Sequence, residues 1–369
     1  MQIEIFLYIY GAICASMIGF NIAYALLLRG SELRLRRRTV RLKRGILRQT
    51  ERLARGEALG KRAFGRLRRK LRRVRNLIAL DRALSALPSQ DAPLLGQYMG
   101  RMQPTLLYLA RVYRRREPTQ AAYFAFFTAR WVRAGQGEGQ ALEALEQALL
   151  GYMAMENLYC RVNALQALCA FAGPRSIVSA LKVQDRGSVF FHEKILTETL
   201  LAYQGDARQL IAALWEELSA FGQRTQLAIL NYIRFCSGDY CQKMFALMED
   251  EGADKELRLA AIRYLGRYPY SPARGALLAM AAEKNPARWE YTTVSVAALA
   301  RYQGQRVVDV LKGAMHSPNW YVRYAAAASL ESQQVDYEDL IDLTMGSDRY
   351  AREMIMYRLE THRLDREGR

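Results

Sequence analysis

The sequence predicts an all-α protein, with an N-terminal transmembrane helix over residues 1–28 and an α-solenoid of stacked antiparallel helix pairs over residues 88–369. Three observations predict this fold class. They are one long uncharged segment, a dense basic segment at 29–87, and two interleaved series of aliphatic residues that recur about every 32 residues. The chain has 369 residues and is 51% apolar, enough to bury a large core.

The first element is an uncharged run of 23 residues from Phe6 to Leu28. A helix of that length rises about 34 Å, and a hydrocarbon core is about 30 Å thick. A signal peptide would have a positive start and a shorter apolar core. This chain starts Met-Gln-Ile-Glu, and only Ala23-Tyr24-Ala25 has the pattern of a cleavage site. We therefore expect an uncleaved membrane anchor.

The charge that follows sets the expected orientation. Between Arg29 and Arg75 there are 20 basic and 3 acidic residues, which accounts for nearly all of the net charge of +18. Basic residues stay on the cytoplasmic side of a membrane, so we expect a single-pass protein with its N-terminus outside and its solenoid in the cytoplasm. Five cysteines without a C-x-x-C motif are compatible with a reducing compartment.

Small residues recur every fourth position within the predicted membrane helix, at Gly11, Ala15, Gly19 and Ala23. Such a stripe lets another helix backbone approach closely. It predicts membrane helix packing, either in a homodimer or with another membrane protein. The alternative is ordinary composition, since Gly and Ala are common in membrane helices.

The basic segment predicts an amphipathic helix that runs from about residue 61 to Ile78. Its apolar face consists of Phe64, Leu67, Leu71, Val74 and Ile78. An earlier, less regular helix is indicated by Leu35, Leu42, Ile46 and Leu53. Anionic membrane lipid is the favoured partner of the basic residues, and a protein or nucleic acid are the alternatives. The lipid-facing residues are predicted to be Arg66, Arg68, Arg69, Lys70, Arg72 and Arg73.

The helical repeats follow from the two aliphatic series. The first is Leu168, Leu201, Ile233, Leu265, Leu299, Leu330 and Leu359, and the second is Leu181, Leu214, Leu247, Met280, Leu311 and Leu343. Two series with one period indicate two helices per repeat. Helix N-caps are predicted at Asn157, Asp254, Asn319 and Asp348.

These repeats resemble HEAT repeats, of the bacterial phycobilisome-lyase HEAT-like type. The motif D-x-x-V-R-x-x-A-x-x-x-L is closest at 319–330 and clear at 254–265, and the clear repeats cover 155–363. The register over 88–154 cannot be assigned from this motif. The resemblance implies a right-handed stack of antiparallel helix pairs that presents a curved surface to other proteins.

An arginine recurs at one position of the motif, as Arg161, Arg258, Arg323 and Arg352. The resemblance implies that these arginines brace adjacent repeats through hydrogen bonds. A row of binding residues is the alternative. Tyrosines of the later repeats are predicted to act mainly as spacers between repeats. The candidate partner surface is assigned to Trp289, Trp320 and Tyr321.

The sequence contains no recognisable catalytic motif, and its three histidines have no metal-ligand spacing. The glycines of 135–139 are interpreted as a turn between helices. We therefore expect a non-enzymatic scaffold without a cofactor, whose protein partner is a membrane-embedded enzyme such as a glycosyltransferase. The alternatives are a nucleic-acid-binding protein, which near-neutral charge over 76–369 disfavours, and a lyase or chaperone for a tetrapyrrole or other small ligand.

Overall fold

The structure is a computed structural model that describes residues 2–57, 61–88, 92–133, 139–187, 190–335 and 337–367. Within these ranges the chain is all-α, with nineteen α-helices, a few short 3-10 helices and no strand. The predicted turn at 135–139 lies outside the described residues, apart from the backbone of Gly139. The helices divide into two compact units, with residues 1–190 and 202–206 in unit 1 and the remaining residues in unit 2.

Unit 1 contains the first eight helices, which alternate between two packed rows. They are α1 (Gln2–Ala54), α2 (Lys61–Leu71), α3 (Val74–Ser85), α4 (Ala92–Tyr113), α5 (Pro118–Trp131), α6 (Gly139–Met153), α7 (Leu158–Phe171) and α8 (Pro174–Asp185). Odd-numbered helices pack on odd-numbered neighbours, and even-numbered helices pack on even-numbered ones. This is the arrangement of stacked antiparallel helix pairs, and it begins at α1.

Unit 2 repeats the same arrangement with shorter helices. They are α9 (Glu193–Leu201), α10 (Ala207–Glu216), α11 (Gln223–Cys236), α12 (Cys241–Glu249), α13 (Lys255–Arg267), α14 (Arg274–Ala281), α15 (Trp289–Leu299), α16 (Gln305–Ala314), α17 (Trp320–Ser332), α18 (Ile341–Thr344) and α19 (Arg349–Glu367). The odd-numbered helices form a continuous row, and each even-numbered helix packs on the odd-numbered helix that follows it.

Helix α1 has two parts with different surroundings. An 18-residue stretch of it has a mean hydropathy of 1.8, and none of that stretch is buried. By length and composition alone, α1 is the one helix among the described residues that is able to cross a membrane. Beyond Gly30 the same helix packs against α3, with Ile46 and Thr50 buried. The helix therefore passes the predicted boundary at residues 28 and 29 without a break.

Polar contacts also hold the second part of α1 against α3. Glu32 pairs with Arg82 at 2.6 Å, and Nζ of Lys43 donates to the carbonyl of Ala86 at 2.8 Å. Leu35, Leu42 and Leu53 are half-buried on the same side as Ile46. These are the four residues that predicted an early helix in the basic segment, and they form its packed face.

The single amphipathic helix predicted from residue 61 to Ile78 is wrong. The chain forms α2 and α3 instead, with a turn at Arg72 and Arg73. The side chain of Asn76 donates to the carbonyl of Lys70 at 2.7 Å and closes this turn. The apolar spacing continued across the break because both helices turn their apolar sides into the same core.

The repeat length differs between the two units. In unit 1 the hydroxyl of Tyr113 donates to the carbonyl of Leu71, and that of Tyr152 to the carbonyl of Ala110, each across 42 residues. In unit 2 the hydroxyl of Ser329 donates to the carbonyl of Val296, 33 residues earlier. A motif with a period near 32 therefore could not be placed over residues 88–154.

Within unit 2 and the end of unit 1, the predicted repeat register is mostly confirmed. The side chains of Asn157, Asp254 and Asn319 cap α7, α13 and α17, and Asp348 accepts from the backbone at the start of α19. Three members of the aliphatic series are wrong. Leu201 is 42% exposed while Leu200 is buried, and Leu247 and Met280 are half-buried beside the buried Met248 and Leu277.

Candidate functional site

An aromatic cluster joins α15 to α17 in unit 2, and it contains all three residues predicted as a partner surface. The ring of Trp289 stacks on Tyr321 with centroids 5.4 Å apart. Trp320 meets Tyr321 edge-on at 5.3 Å and stacks on Tyr324 at 5.1 Å. Trp320, Tyr321 and Tyr324 are exposed, although each packs against another ring. The cluster is thus an ordered aromatic surface open to solvent.

A groove of about 600 Å³ lies next to this cluster. One wall is the chain from the end of α14 to α15, and the other is formed by α16, the following turn and the start of α17. Its floor includes the buried side chains of Thr292 and Val322, and Trp289 lies on its edge. The aromatic cluster and the groove together form a continuous surface of apolar and aromatic groups, which we call the aromatic groove.

His316 lies at one side of the aromatic groove and connects it to the last repeat. Its Nδ1 is 2.8 Å from Oδ2 of Asp348, and because a carboxylate only accepts, the ring nitrogen is the donor. This hydrogen bond from His316 lowers the pKa of the Asp348 carboxyl below its ordinary value. The same carboxylate accepts the backbone N–H groups of Tyr350 and Ala351.

Sequence reasoning did not find the turns that line the aromatic groove. Asn285 precedes Pro286 in the turn between α14 and α15, and Asn319 follows Pro318 in the turn between α16 and α17. Both asparagine side chains accept a backbone N–H at a helix start, at 3.0 and 2.8 Å. The recurrence of Asn and Pro in the equivalent turns of two neighbouring repeats was a signal for paired groove walls.

The four recurring arginines each donate to a backbone carbonyl at the end of a neighbouring helix. Arg258 reaches Met248, Arg323 reaches Ser317 and Pro318, and Arg352 reaches Gly346, all in the turn or helix end that precedes the arginine's own helix. Arg161 instead reaches Gln184, at the end of the helix that follows. This geometry is that of a brace between successive helices, and its contribution to stability stays a prediction.

Tyrosines add a second set of links between repeats. The hydroxyl of Tyr264 accepts the N–H of Tyr240 at 2.9 Å and donates to the carbonyl of Ser237 at 3.0 Å. Tyr302 makes the same pair of bonds one repeat later, to Tyr270 and Leu265. The guanidinium groups of Arg258 and Arg323 lie 5.2 Å from the rings of Tyr291 and Tyr350. The predicted spacer role of tyrosines is confirmed for Tyr264 and Tyr302.

The basic residues predicted to face lipid are all exposed. Arg66, Arg68, Arg69 and Lys70 belong to α2, Arg72 lies in the turn, and Arg73 precedes α3. The apolar side of α2 is already used inside unit 1. Leu71 is fully buried, and the ring of Phe64 lies 5.9 Å from that of Tyr98. Any contact of α2 with lipid would therefore go through its charged side chains.

The small residues Gly11, Ala15, Gly19 and Ala23 are exposed on the first part of α1. A Cβ atom added at Gly11 or Gly19 would have no neighbour within 4 Å in the described structure. The surface is therefore open to another helix, and its role in packing stays a prediction. Among the described residues, no group of three or more potential ligands could hold a metal ion.

Comparison with known proteins supports the repeat assignment. Residues 241–331, from the start of α12 into α17, match the family described as HEAT repeats. The match includes both walls of the aromatic groove and two of the four bracing arginines, Arg258 and Arg323. A search of curated proteins found no match. These residues of unit 2 are thus similar to HEAT repeats, which typically form non-catalytic scaffolds for protein interaction.

Proposed function

We propose that this chain is a single-pass membrane scaffold whose helical repeats bind a partner protein on the cytoplasmic side. The observation that carries the proposal is the division of α1 into an exposed apolar part and a part packed into unit 1. A helix of this kind would keep its apolar surface out of water by insertion into a bilayer. The proposed role is non-catalytic. The closer resemblance to the phycobilisome-lyase type stays a prediction.

The aromatic groove is the surface that we assign to the partner. Exposed Trp and Tyr side chains contribute most strongly to protein interfaces, because they bury a large apolar area and keep a polar group for hydrogen bonding. Here the rings of Trp289, Trp320 and Tyr321 are already held by one another, so less side-chain entropy is lost on binding. A membrane-embedded enzyme such as a glycosyltransferase is the partner class we favour, because anchoring raises the effective concentration of membrane proteins.

The basic residues of α2 support the proposed orientation. Six exposed arginines and lysines follow the apolar helix, and anionic lipid of the inner leaflet attracts such residues by about 1 kcal/mol each near the surface. In this proposal, α2 contacts lipid through charge alone, because its apolar side is packed on α4.

Membrane insertion is tested with the full-length chain in native membranes. We expect the chain to remain in the membrane pellet after carbonate extraction. We also expect its N-terminal segment to be retained, with no cleavage after the apolar run. Reporter fusions should place the N-terminus outside and the C-terminus in the cytoplasm. Release by carbonate, or a mature chain that begins near Leu26, would contradict the anchor.

Partner binding is tested by photocrosslinking in the same membranes. A photoreactive phenylalanine analogue at Tyr321, which is 57% exposed, should crosslink to a discrete membrane protein. The matched control is the same substitution at Tyr159, an aromatic residue of unit 1 that is 73% exposed. Trp320→Ala should weaken the crosslink at position 321. Equal crosslinking from both positions would show that the aromatic groove is not a specific surface.

A further inference from the structure

A second pocket of unit 2 is lined by four arginines. It has a volume of about 490 Å³ and lies where α11, α13 and α15 pack side by side. The arginines are Arg234, Arg263, Arg267 and Arg301, and we call this site the arginine pocket. Small side chains, Ala297 and Ala298, form part of the lining between them. None of the residues that line the aromatic groove belongs to this pocket.

The charge of the arginine pocket is not balanced within the described part of the chain. None of its four guanidinium groups pairs with a described carboxylate, whereas Arg358 pairs with Glu331 and Lys255 with Glu290 in the same unit. Burial, together with repulsion from Arg263 and Arg267, lowers the pKa of Arg234. Arg234 is half-buried and the other three arginines are exposed, so the pocket presents four positive charges to solvent and would attract an anion.

The backbone of α13 brings these charges close together. Gly266 allows α13 to approach α15 so closely that an added Cβ would lie 2.8 Å from Cα of Ala298. Gly266 lies between Arg263 and Arg267 in the sequence, and Arg301 follows the end of α15. The close approach therefore narrows the space between the arginines of α13 and Arg301.

An aromatic ring orients two of the four arginines. The guanidinium groups of Arg234 and Arg267 lie 5.0 and 5.4 Å from the ring of Phe235. Such cation–π contacts favour fixed positions of the charged groups. Preorganised guanidinium groups lose less entropy when they bind an anion.

We propose that the arginine pocket binds a compact phosphate anion of the diphosphate type. Guanidinium groups donate two parallel hydrogen bonds to phosphate or carboxylate oxygens. Phosphate is the better match here, because a diphosphate concentrates several negative charges and acceptor oxygens in a small volume. Carboxylates would need four groups to balance the pocket, which is a much larger ligand. The diphosphate is either a soluble molecule or a lipid headgroup.

The pocket arginines differ from the bracing arginines in position and contacts. Arg234 follows the buried Ile233 by one residue, and Arg267 and Arg301 follow the buried Leu265 and Leu299 by two, so three successive repeats supply an arginine near the same helix end. The side chains of the bracing arginines Arg258 and Arg323 donate to backbone carbonyls, and no such bond is found for the pocket arginines among the described residues. The pocket arginines are therefore available to a ligand.

The test is calorimetric titration of the full-length chain in a nonionic detergent with inorganic pyrophosphate. We expect saturable binding that weakens as ionic strength rises. The double variant Arg263→Gln and Arg301→Gln should lower the affinity about tenfold or more, because two charges and their paired donors to the anion are lost. The matched control is Arg306→Gln, an exposed arginine of α16 outside the pocket, which should leave the affinity unchanged.

Further arms distinguish the ligand classes. The double variant Arg263→Lys and Arg301→Lys keeps the charge but loses the paired donors, so we expect an intermediate affinity for pyrophosphate. Tighter binding of a short-chain diacylglycerol diphosphate than of pyrophosphate would identify the ligand as a lipid headgroup. Tighter binding of pyrophosphate would identify a soluble ligand. The absence of pyrophosphate binding, equal binding of citrate, or binding unaffected by the double variant would overturn the proposal. Much tighter, arginine-dependent binding of a short oligonucleotide would replace it with a nucleic-acid site.

Discussion

Arg323 shows how one side chain connects three parts of unit 2. Its Nη1 donates to the carbonyls of Ser317 and Pro318 at 2.7 and 3.1 Å, and its guanidinium faces the ring of Tyr350. The residue is only 9% exposed. Its aliphatic part lies in the core while its charged end closes the turn that forms one wall of the aromatic groove. Loss of this side chain would therefore affect both packing and the turn.

We expect Arg323→Ala to lower the free energy of unfolding by about 1.5–3 kcal/mol, because two backbone carbonyls of the turn lose a charged donor. Thermal unfolding of the full-length chain in detergent measures the change. Arg306→Ala removes an exposed arginine from the adjacent helix and should have little effect. An unchanged melting temperature combined with loss of crosslinking at position 321 would favour a binding role over a brace.

Asp348 predicts a dependence of stability on pH. The hydrogen bond from His316 lowers its folded-state pKa below the ordinary value of 3.8. The charged carboxylate therefore stabilises the fold above that pH, and this contribution is lost as the pH falls through the lower folded-state pKa. Asp348→Asn keeps an N-cap acceptor but removes the charge.

We expect Asp348→Asn to be less stable than the wild-type chain near pH 7, with the difference shrinking as the pH falls below about 4. Thermal unfolding across this pH range measures it. Because both chains share every other carboxylate, their difference isolates the effect of Asp348. A difference that stayed constant down to about pH 3 would show that the His316 contact contributes no titration-linked stability.

At the residue scale, hydrogen bonds between residues close in sequence could be predicted, and those between residues far apart in sequence could not. The caps at Asp254 and Asn319 were predicted because the capping side chain and its helix are adjacent in sequence. Asp81 gave no such signal, although Tyr123 and Trp131 donate to its carboxylate at 2.9 and 2.7 Å. Those contacts join α3 to α5 across 42 and 50 residues, so they depend on packing that no local pattern contains.

At the element scale, the distance between α13 and α15 depends on one glycine. An added Cβ at Gly266 would lie within 3.0 Å of both Cα and Cβ of Ala298. Backbone atoms cannot move aside as a flexible side chain does, so the two helices would have to separate. This makes Gly266 a packing residue of the row formed by α11, α13 and α15.

Gly266→Ala is expected to destabilise unit 2 by about 1–3 kcal/mol, the usual cost of overpacking. The matched control is Gly275→Ala in α14, where an added Cβ meets nothing within 4 Å. Alanine has a higher helix propensity than glycine, so the control substitution should stabilise the chain by up to about 1 kcal/mol. Chemical denaturation compares the two variants, and equal effects would contradict the close-packing explanation.

Sequence periodicity predicted the helices better than it predicted their ends. The run from Phe64 to Ile78 has continuous helical spacing, yet the chain turns at Arg72 and Arg73. Neither residue is a helix breaker. The turn is closed by the Asn76 side chain and by the hydrogen bond from the Tyr113 hydroxyl to the carbonyl of Leu71. A break that depends on such tertiary contacts leaves the local pattern intact.

At the scale of the whole molecule, the repeat architecture was predicted where the repeats are regular. Residues 241–331 match HEAT repeats. The first aliphatic series identifies buried helices from Ile233 to Leu330. In unit 1 the helices are longer, and the contacts between repeats span about 42 residues. The two units therefore share one arrangement of helices but differ in repeat length, so a single sequence period cannot describe both.

The proposed partner surface was predicted only in part for a related reason. Trp289 and Tyr321 come from different repeats, and their adjacency follows from the period of the stack. The depth of the groove beside them depends on how the turns at 282–286 and 315–319 are placed. Turn conformation varies between repeats, so the sequence indicated the rings but not the cavity.

The unbroken course of α1 has a mechanical consequence for the membrane anchoring that we propose. The helix enters unit 1 without a hinge, since it runs from Gln2 to Ala54 and is held there by Ile46 and the Glu32–Arg82 pair. A tilt or rotation of the apolar part of α1 in the bilayer would therefore be transmitted directly to unit 1. One inserted residue near Gly30 would reorient unit 1 by about 100° about the helix axis.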